Sequence, residues 1–244
     1  MHLFLLLVKE RAVQTGSTDS LCLYSSLGSW PLYTRRDVWG VTDMFPAMTE
    51  IIPEGTCGVA KVVHFEVSKD DSMWTAIRAI LDPMSYVPPG KYAKLIVNGC
   101  LNMSDTRMEH HTNFEVVHQA RGNVLLAGLG LGMILHPILK KPEVLSVTVI
   151  EKCADVIALI SPTVKHPRLT IIHGDIYEWK PAKGTKFDTI YFDVWSDQST
   201  DDLEDMRKLH MRFRPYKVKE GWMNSWRRDI LKAEKRRDNQ RGWY

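Results

Sequence analysis

No Cys-x-x-Cys pair occurs in this chain, and its four cysteines, Cys22, Cys57, Cys100 and Cys153, have no histidine at ligand spacing. That arrangement argues against both a zinc site and a disulfide framework, so no metal is expected and a reducing cytoplasm is the expected compartment. Long apolar runs are scarce as well. The most membrane-like stretch, Leu3 to Val8 (LFLLLV), falls far short of the roughly 18 apolar residues that a spanning helix needs. It also lacks the basic flank and the length of a signal peptide and runs directly into KER. Residues 1–47 therefore read as a leader, an upstream extension of the reading frame with Met44 or Met48 as the working start. Internal repeats and low-complexity segments are absent.

Charge of one sign is scarce overall but not locally. The net charge of +3 is too small to point to a polyanionic partner. From Arg207 to Arg241, however, thirteen Lys or Arg stand against four acids, so the remainder of the chain is net acidic. Trp222, Trp226 and Trp243 are interspersed there, which makes nucleic acid a candidate partner through phosphate contact and base stacking. The competing reading is plainer: Trp222, Trp226 and Ile230 recur at helical spacing and would form the buried stripe of a docked helix.

What is present is a regular alternation. Residues 48–105 hold a valine-rich strand in Gly58 to Val67 and a capped helix over Asp70 to Asp82. A Pro-Pro-Gly turn and a second strand, Ala93 to Val97, follow and end at Asn98-Gly99. The result is a small β-containing lead-in. A helix over Met108 to Ala120 stops at Arg121-Gly122. Apolar strands at 124–127, 145–150, 169–173 and 189–192 then alternate with helices at 132–139 and 154–160, the pattern of a parallel sheet covered on both faces. The core is placed at 106–200. Residues 201–244 read as a basic helical segment with no further strand, so the sheet is expected to be small.

The chemistry concentrates after the first core strand. Gly128, Gly130 and Gly132 give G-x-G-x-G, and Met133 stands where a dinucleotide fingerprint requires its third glycine, which disfavours NAD. No Gly-Lys-Ser/Thr triplet follows, so this is not a phosphate-binding P-loop. Glu151 closes the next strand, where a two-oxygen acceptor suits a pair of ribose hydroxyls. Asp175 and the adjoining amide of Ile176 close the third, within reach of an adenine amine. Asp193 ends the fourth and faces the same cleft, with Asp197 four residues on. Each has a bland alternative: the glycines as a tight turn, the acids as helix caps, Asp175 as the cap of the turn toward Trp179. His110 and His111 are adjacent on one helix, point to different faces and do not share a metal.

These residues resemble the class I S-adenosylmethionine-dependent methyltransferase superfamily, in particular its spermidine synthase-like branch, over about Lys94 to Trp195. LIVNGCLNMSDTRMEHH resembles the stretch before the glycine motif in polyamine synthases, with Asn98-Gly99 at the turn, Asn102 near a glutamine and Asp105 near an acidic pair. VTVIEKCADVI is similar to the ribose-binding strand, with Glu151 as its acid. FDTIYFDVWSD is similar to the strand whose last aspartate, Asp193, is a general base. MSDT-x-x-E with GLGLGM also resembles small phage-encoded relatives. The resemblance implies an α/β fold, a Rossmann-like parallel sheet with helices on both faces. It implies S-adenosylmethionine bound by Gly128, Leu129, Gly130, Gly132, Glu151, Asp175 and Ile176. Asp193, or else Asp197, would be catalytic. Two departures matter. Leu131 replaces the loop aspartate that holds the ammonium in aminopropyl transfer, and Leu126 replaces an acid common in methyltransferases, which leaves Asp105 as the expected partner of the cofactor's amino group. A methyltransferase-like enzyme of unknown acceptor is the leading expectation, with aminopropyl transfer and a non-catalytic binding module as alternatives.

Overall fold

The computed structural model describes residues 44–80, 85–195 and 199–241. The leader before Met44, Asp197 and Trp243 lie outside these residues. After a single turn of helix, α1 (Met48–Ile51), four strands form an antiparallel meander: β1 (Gly55–Cys57), β2 (Ala60–Val67), β3 (Gly90–Val97) and β4 (Cys100–Ser104). The helix α2 (Lys69–Arg78) connects β2 toward β3 and is capped by Ser68, whose hydroxyl accepts the Asp71 N–H at 3.1 Å. Asn98 and Gly99 both take positive φ, 52° and 79°, as the two-residue turn of the β3–β4 hairpin demands. One face of this sheet is apolar, with Ala60, Val62, Ala93 and Leu95 packed on Met48 and Ile52.

The helix α3 (Arg107–Gln119) leads into a five-stranded sheet that is parallel throughout, in the order β7-β6-β5-β8-β9. Its strands are β5 (Gly122–Ala127), β6 (Val144–Glu151), β7 (Leu169–His173), β8 (Phe187–Phe192) and β9 (Lys217–Ser225). The helices α4 (Leu135–Lys140), α5 (Ala154–Ile160), α6 (Asp202–Phe213) and α7 (Arg228–Arg241) complete the unit. Alternate residues of β5 enter two cores. Val124 and Leu126 pack with α3, α4 and α5 on one face, whereas Leu125 and Ala127 pack with Leu209 and Phe213 of α6 on the other. Burial on both faces explains why the strands read as continuous apolar runs, and the fold is the Rossmann-like α/β architecture expected. Among the described residues no helix is long and apolar enough to cross a membrane.

The C-terminal segment differs from the all-helical expectation. Its two helices are present, but Lys217–Ser225 between them is the fifth strand of the sheet. Being at the edge, β9 keeps charged residues and Gly221 in its exposed half, and its pairing with β8 slips between Phe187 and Thr189. That breaks the alternation by which a strand is recognised. The four-residue spacing of Trp222 and Trp226 therefore spans a strand and the turn beyond it, and no helical stripe exists there. The helix expected from Gly132 begins only at Leu135, because residues 130–134 remain a series of turns.

Candidate functional site

The chain turns outward in both directions from β5, to β6 and β7 on one side and to β8 and β9 on the other. The carboxyl ends of β5 and β8 therefore diverge into a crevice. A cavity of about 500 Å³ occupies it, walled by the loops after β5, β6, β7, β8 and β9 and closed over by the β3–β4 hairpin through Val97, Asn98, Asn102 and Met103.

The glycine loop forms one wall. Gly128 has φ +99°, and a Cβ there would stand 2.1 Å from the Asp193 backbone oxygen, so no larger residue fits without parting β5 from β8. At Gly130, φ +51°, a Cβ would meet the Met103 sulfur at 2.2 Å. That sulfur accepts the Leu131 N–H at 3.0 Å, which ties the lead-in sheet to the loop. Gly132 lies off the cavity wall, its missing side chain making room for Ile160 of α5 at 3.3 Å. Leu131 is fully buried.

Glu151 faces this loop from the end of β6. One carboxylate oxygen accepts the Leu129 N–H at 2.8 Å and the other the Cys153 N–H at 2.7 Å. Each oxygen keeps a second lone pair for a ligand hydroxyl. Gly174, Asp175 and Ile176 line the next part of the wall. Asp175 caps its own turn, accepting the Tyr177 N–H at 2.9 Å, and pairs with Lys152 at 2.9 Å. Its pKa is lowered mainly by the hydrogen bond from Lys152. Arg212, from α6, fixes that turn from behind by donating to the carbonyls of Ile176 at 3.1 Å, Trp179 at 2.8 Å and Tyr177.

Asp193 opens onto the cavity beside the glycine loop. Enclosure, and then the charge of Glu151, push its carboxyl up to about 7. Glu109 of α3 lies on the far wall, only 7% exposed. Burial and the nearby Asp193 raise it to about 8 against the opposing pull of Arg227 and of the Ser104 N–H. Asp193 ionises first, in the field of Glu151, and Glu109 then titrates in the field of ionised Asp193.

The structure thus brings Gly128, Leu129, Gly130, Glu151, Asp175, Ile176 and Asp193 to one cavity. Asp105 does not join them. It is buried, accepts the Met48 N–H at 2.9 Å and the Ala93 N–H at 2.7 Å, and so pins α1 to β3. The sequence does not mark Glu109, Met103 or Trp226 as residues of this cavity, which all three line. For Glu109 the signal was its place in MSDT-x-x-E; the other two become cavity residues only through the hairpin and β9. His110 stacks on Phe45 at 4.8 Å, and burial lowers its pKa to about 4. Among the described residues no group of three or more potential ligands could hold a metal. Of the tryptophans of the basic segment, Trp222 and Trp226 are packed inward. Trp222 stacks on Tyr191 at 6.0 Å, and the Trp226 indole donates to the Thr112 hydroxyl at 3.1 Å.

No family model and no curated protein matches the sequence. Three solved structures similar to this chain illustrate the likeness. One is the plantazolicin methyltransferase BpumL in complex with SAH, at 18% identity and a TM-score of 0.35, covering 47% of this chain and 44% of that one. The N-methyltransferase NodS from Bradyrhizobium japonicum gives 16% and 0.39, with 48% and 66% covered. Spermidine synthase from Thermotoga maritima gives 16% and 0.44, with 75% and 62% covered. The match spans less than two thirds of each of these proteins, and the likeness is one of fold.

Proposed function

We propose that this chain binds S-adenosylmethionine and is a methyltransferase-like enzyme. The observation that carries the reading is the joining of glycine loop and acid: Glu151 holds the Leu129 amide at 2.8 Å on the rim of a cavity whose other walls carry Glu109, Asp175 and Asp193. A dinucleotide pyrophosphate would face the carboxylates of Glu151 and Asp175, whereas a sulfonium is favoured by them. In this reading the Gly128 to Gly130 stretch of the cavity wall borders the methionyl end, Glu151 accepts the ribose hydroxyls, and Gly174 to Ile176 border the adenine. When bound, S-adenosylmethionine supplies a methyl group that an acceptor lone pair takes as the C–S bond breaks. Asp193 removes a proton from an acceptor that arrives protonated, and its raised pKa suits a base working near neutrality. The cavity orients the acceptor toward the methyl donor, an alignment worth several kcal/mol of the order seen for intramolecular reactions. Leu131, buried where the aminopropyl-transferring enzymes of the resemblance carry a loop aspartate, weighs against aminopropyl transfer.

Calorimetric titration with S-adenosylmethionine, its decarboxylated form, methylthioadenosine and NAD tests the reading. S-adenosylmethionine should bind and NAD should not, and Glu151→Ala should weaken the former at least tenfold. A folded protein that binds none of the four, or binds NAD, would sink it.

A further inference from the structure

The helix α2 has its polarity turned outward. Toward the protein it presents Ser72, which is buried, and Thr75, whose hydroxyl accepts the Val87 N–H at 3.0 Å. Its large apolar side chains lie on the other side. Met73 and Ile77 form a stripe with Trp74 beside them and Ile80 in the turn that follows, and each of the four is between 50% and 74% exposed. A helix docked by its apolar face does the reverse. Four of the ten large apolar side chains exposed among the described residues thus fall within one helix and its closing turn, whereas exposed apolar residues are ordinarily scattered singly.

The charges on this helix indicate what covers the stripe. Asp70 and Asp71 lie in its first turn and Arg78 in its last. Asp71 and Arg78 are close to two whole turns apart and so share one flank of the stripe, with Lys69 on the other. Two copies of α2 packed antiparallel about a twofold axis between Trp74 and Thr75 would set Asp71 of each against Arg78 of the other, while Met73, Trp74 and Ile77 of both meet at the centre. An apolar stripe with an acid at one end of its flank and a base at the other is self-complementary, as a twofold interface requires. A lipid surface fits less well. Asp70 stands two turns before Ile77 on the stripe itself, and an apolar phase would strip water from its carboxylate. Four side chains make the centre of a small interface, so the pairing should be reversible and in the micromolar range.

We propose that this chain pairs with a second copy of itself through α2, the two helices antiparallel and Asp71 of each bonded to Arg78 of the other. The inference is independent of the methyl-transfer reading. Analytical ultracentrifugation of the full chain from about 1 to 100 µM tests it. The mass should rise with concentration from that of one chain to that of two, and Ile77→Glu should leave a monomer throughout. Arg78→Glu, which sets like charges together, should weaken pairing at least fivefold, and Asp71→Arg combined with Arg78→Glu should return it to within twofold of the parent. Asp71 also accepts the Ser68 hydroxyl at 2.7 Å at the start of the helix, so circular dichroism checks the helix content of the double variant; Arg78→Glu leaves that cap in place and decides the question by itself should the double variant lose its helix. A full chain that stays monomeric at every concentration, or a dimer indifferent to Ile77→Glu or to Arg78→Glu, overturns the inference. In a monomer, co-sedimentation with phosphatidylcholine–phosphatidylglycerol vesicles that Ile77→Glu abolishes would assign the stripe to a membrane instead. A monomer whose unfolding midpoint falls in Ile77→Glu would assign the cover to another segment of the same chain, which equally overturns it.

Discussion

Replacing Glu109 by glutamine should change the pH dependence of stability more than stability itself. In the unfolded chain this carboxyl ionises near 4.5, and in the folded protein only near 8. Below pH 4.5 both states hold the proton and Glu109 contributes nothing to the difference. As the pH rises from 4.5 to 8 the unfolded chain releases the proton while the folded one retains it, so folding stability falls, and above 8 it falls no further. A displacement from 4.5 to about 8 corresponds to roughly 5 kcal/mol in all. Histidines whose pKa is lowered by burial, His110 and His210, act in the opposite direction, but equally in parent and variant. The difference between the two proteins therefore isolates Glu109. Since 1 kcal/mol shifts the midpoint of a chain this size by about 2–4 °C, Glu109→Gln should gain on the parent by on the order of 10 °C between pH 5 and pH 8.5. Thermal unfolding followed by circular dichroism across that range is sufficient. Parallel curves for the two proteins would show that Glu109 ionises in the folded state as it does in water, and the argument from its burial would fail.

Three further outcomes are expected. Asp193→Asn should lower turnover about 10²- to 10⁴-fold, the usual contribution of a general base, while S-adenosylmethionine affinity stays within threefold. Parental turnover should rise with pH through about 7, where Asp193 loses its proton, and a pH-independent rate would remove it from the mechanism. Gly130→Ala should weaken S-adenosylmethionine at least tenfold in calorimetry because its Cβ would strike the Met103 sulfur. Adding Met103→Ala should restore part of the binding, leaving a left-handed backbone strain of about 1–2 kcal/mol; a double variant no better than the single one would refute the clash. Asp105→Asn keeps one acceptor oxygen for two backbone donors and should cost about 1–3 kcal/mol of stability in denaturant melts, with ligand affinity unchanged.

The parallel strands of the central sheet before β9 were legible because burial on both faces leaves an apolar run with little else in it. The glycine loop and Glu151 were legible because backbone conformation and hydrogen bonding there restrict residue type. β9 was not, since an edge strand with Lys217, Lys219, Glu220 and Gly221 satisfies no periodic template. Asp105 misled because adjacency in sequence to the site says nothing about direction: its carboxylate turns to the lead-in sheet, where two backbone amides await it. Glu109 was hidden for the converse reason. Its helix, RMEHHTNFEVVHQ, is polar nearly all round, so the one acid that is buried looks like its solvated neighbours.

The Arg212 clamp on the Ile176 to Trp179 turn and the Trp226 indole have a bearing on how the protein comes into being. A nascent chain extended only to Asp193 already contains the glycine loop, Glu151 and the turn. It still lacks the guanidinium that holds that turn and Trp226, which lines the cavity. At roughly 5–20 residues per second the ribosome needs several seconds to add the stretch from Asp193 to Trp226 and to bring it clear of the exit tunnel. During that interval a small molecule has half a cradle to bind and cannot assist the first half to fold. The cavity is therefore complete only late in the biogenesis of this protein, with the arrival of β9 and the turn beyond it.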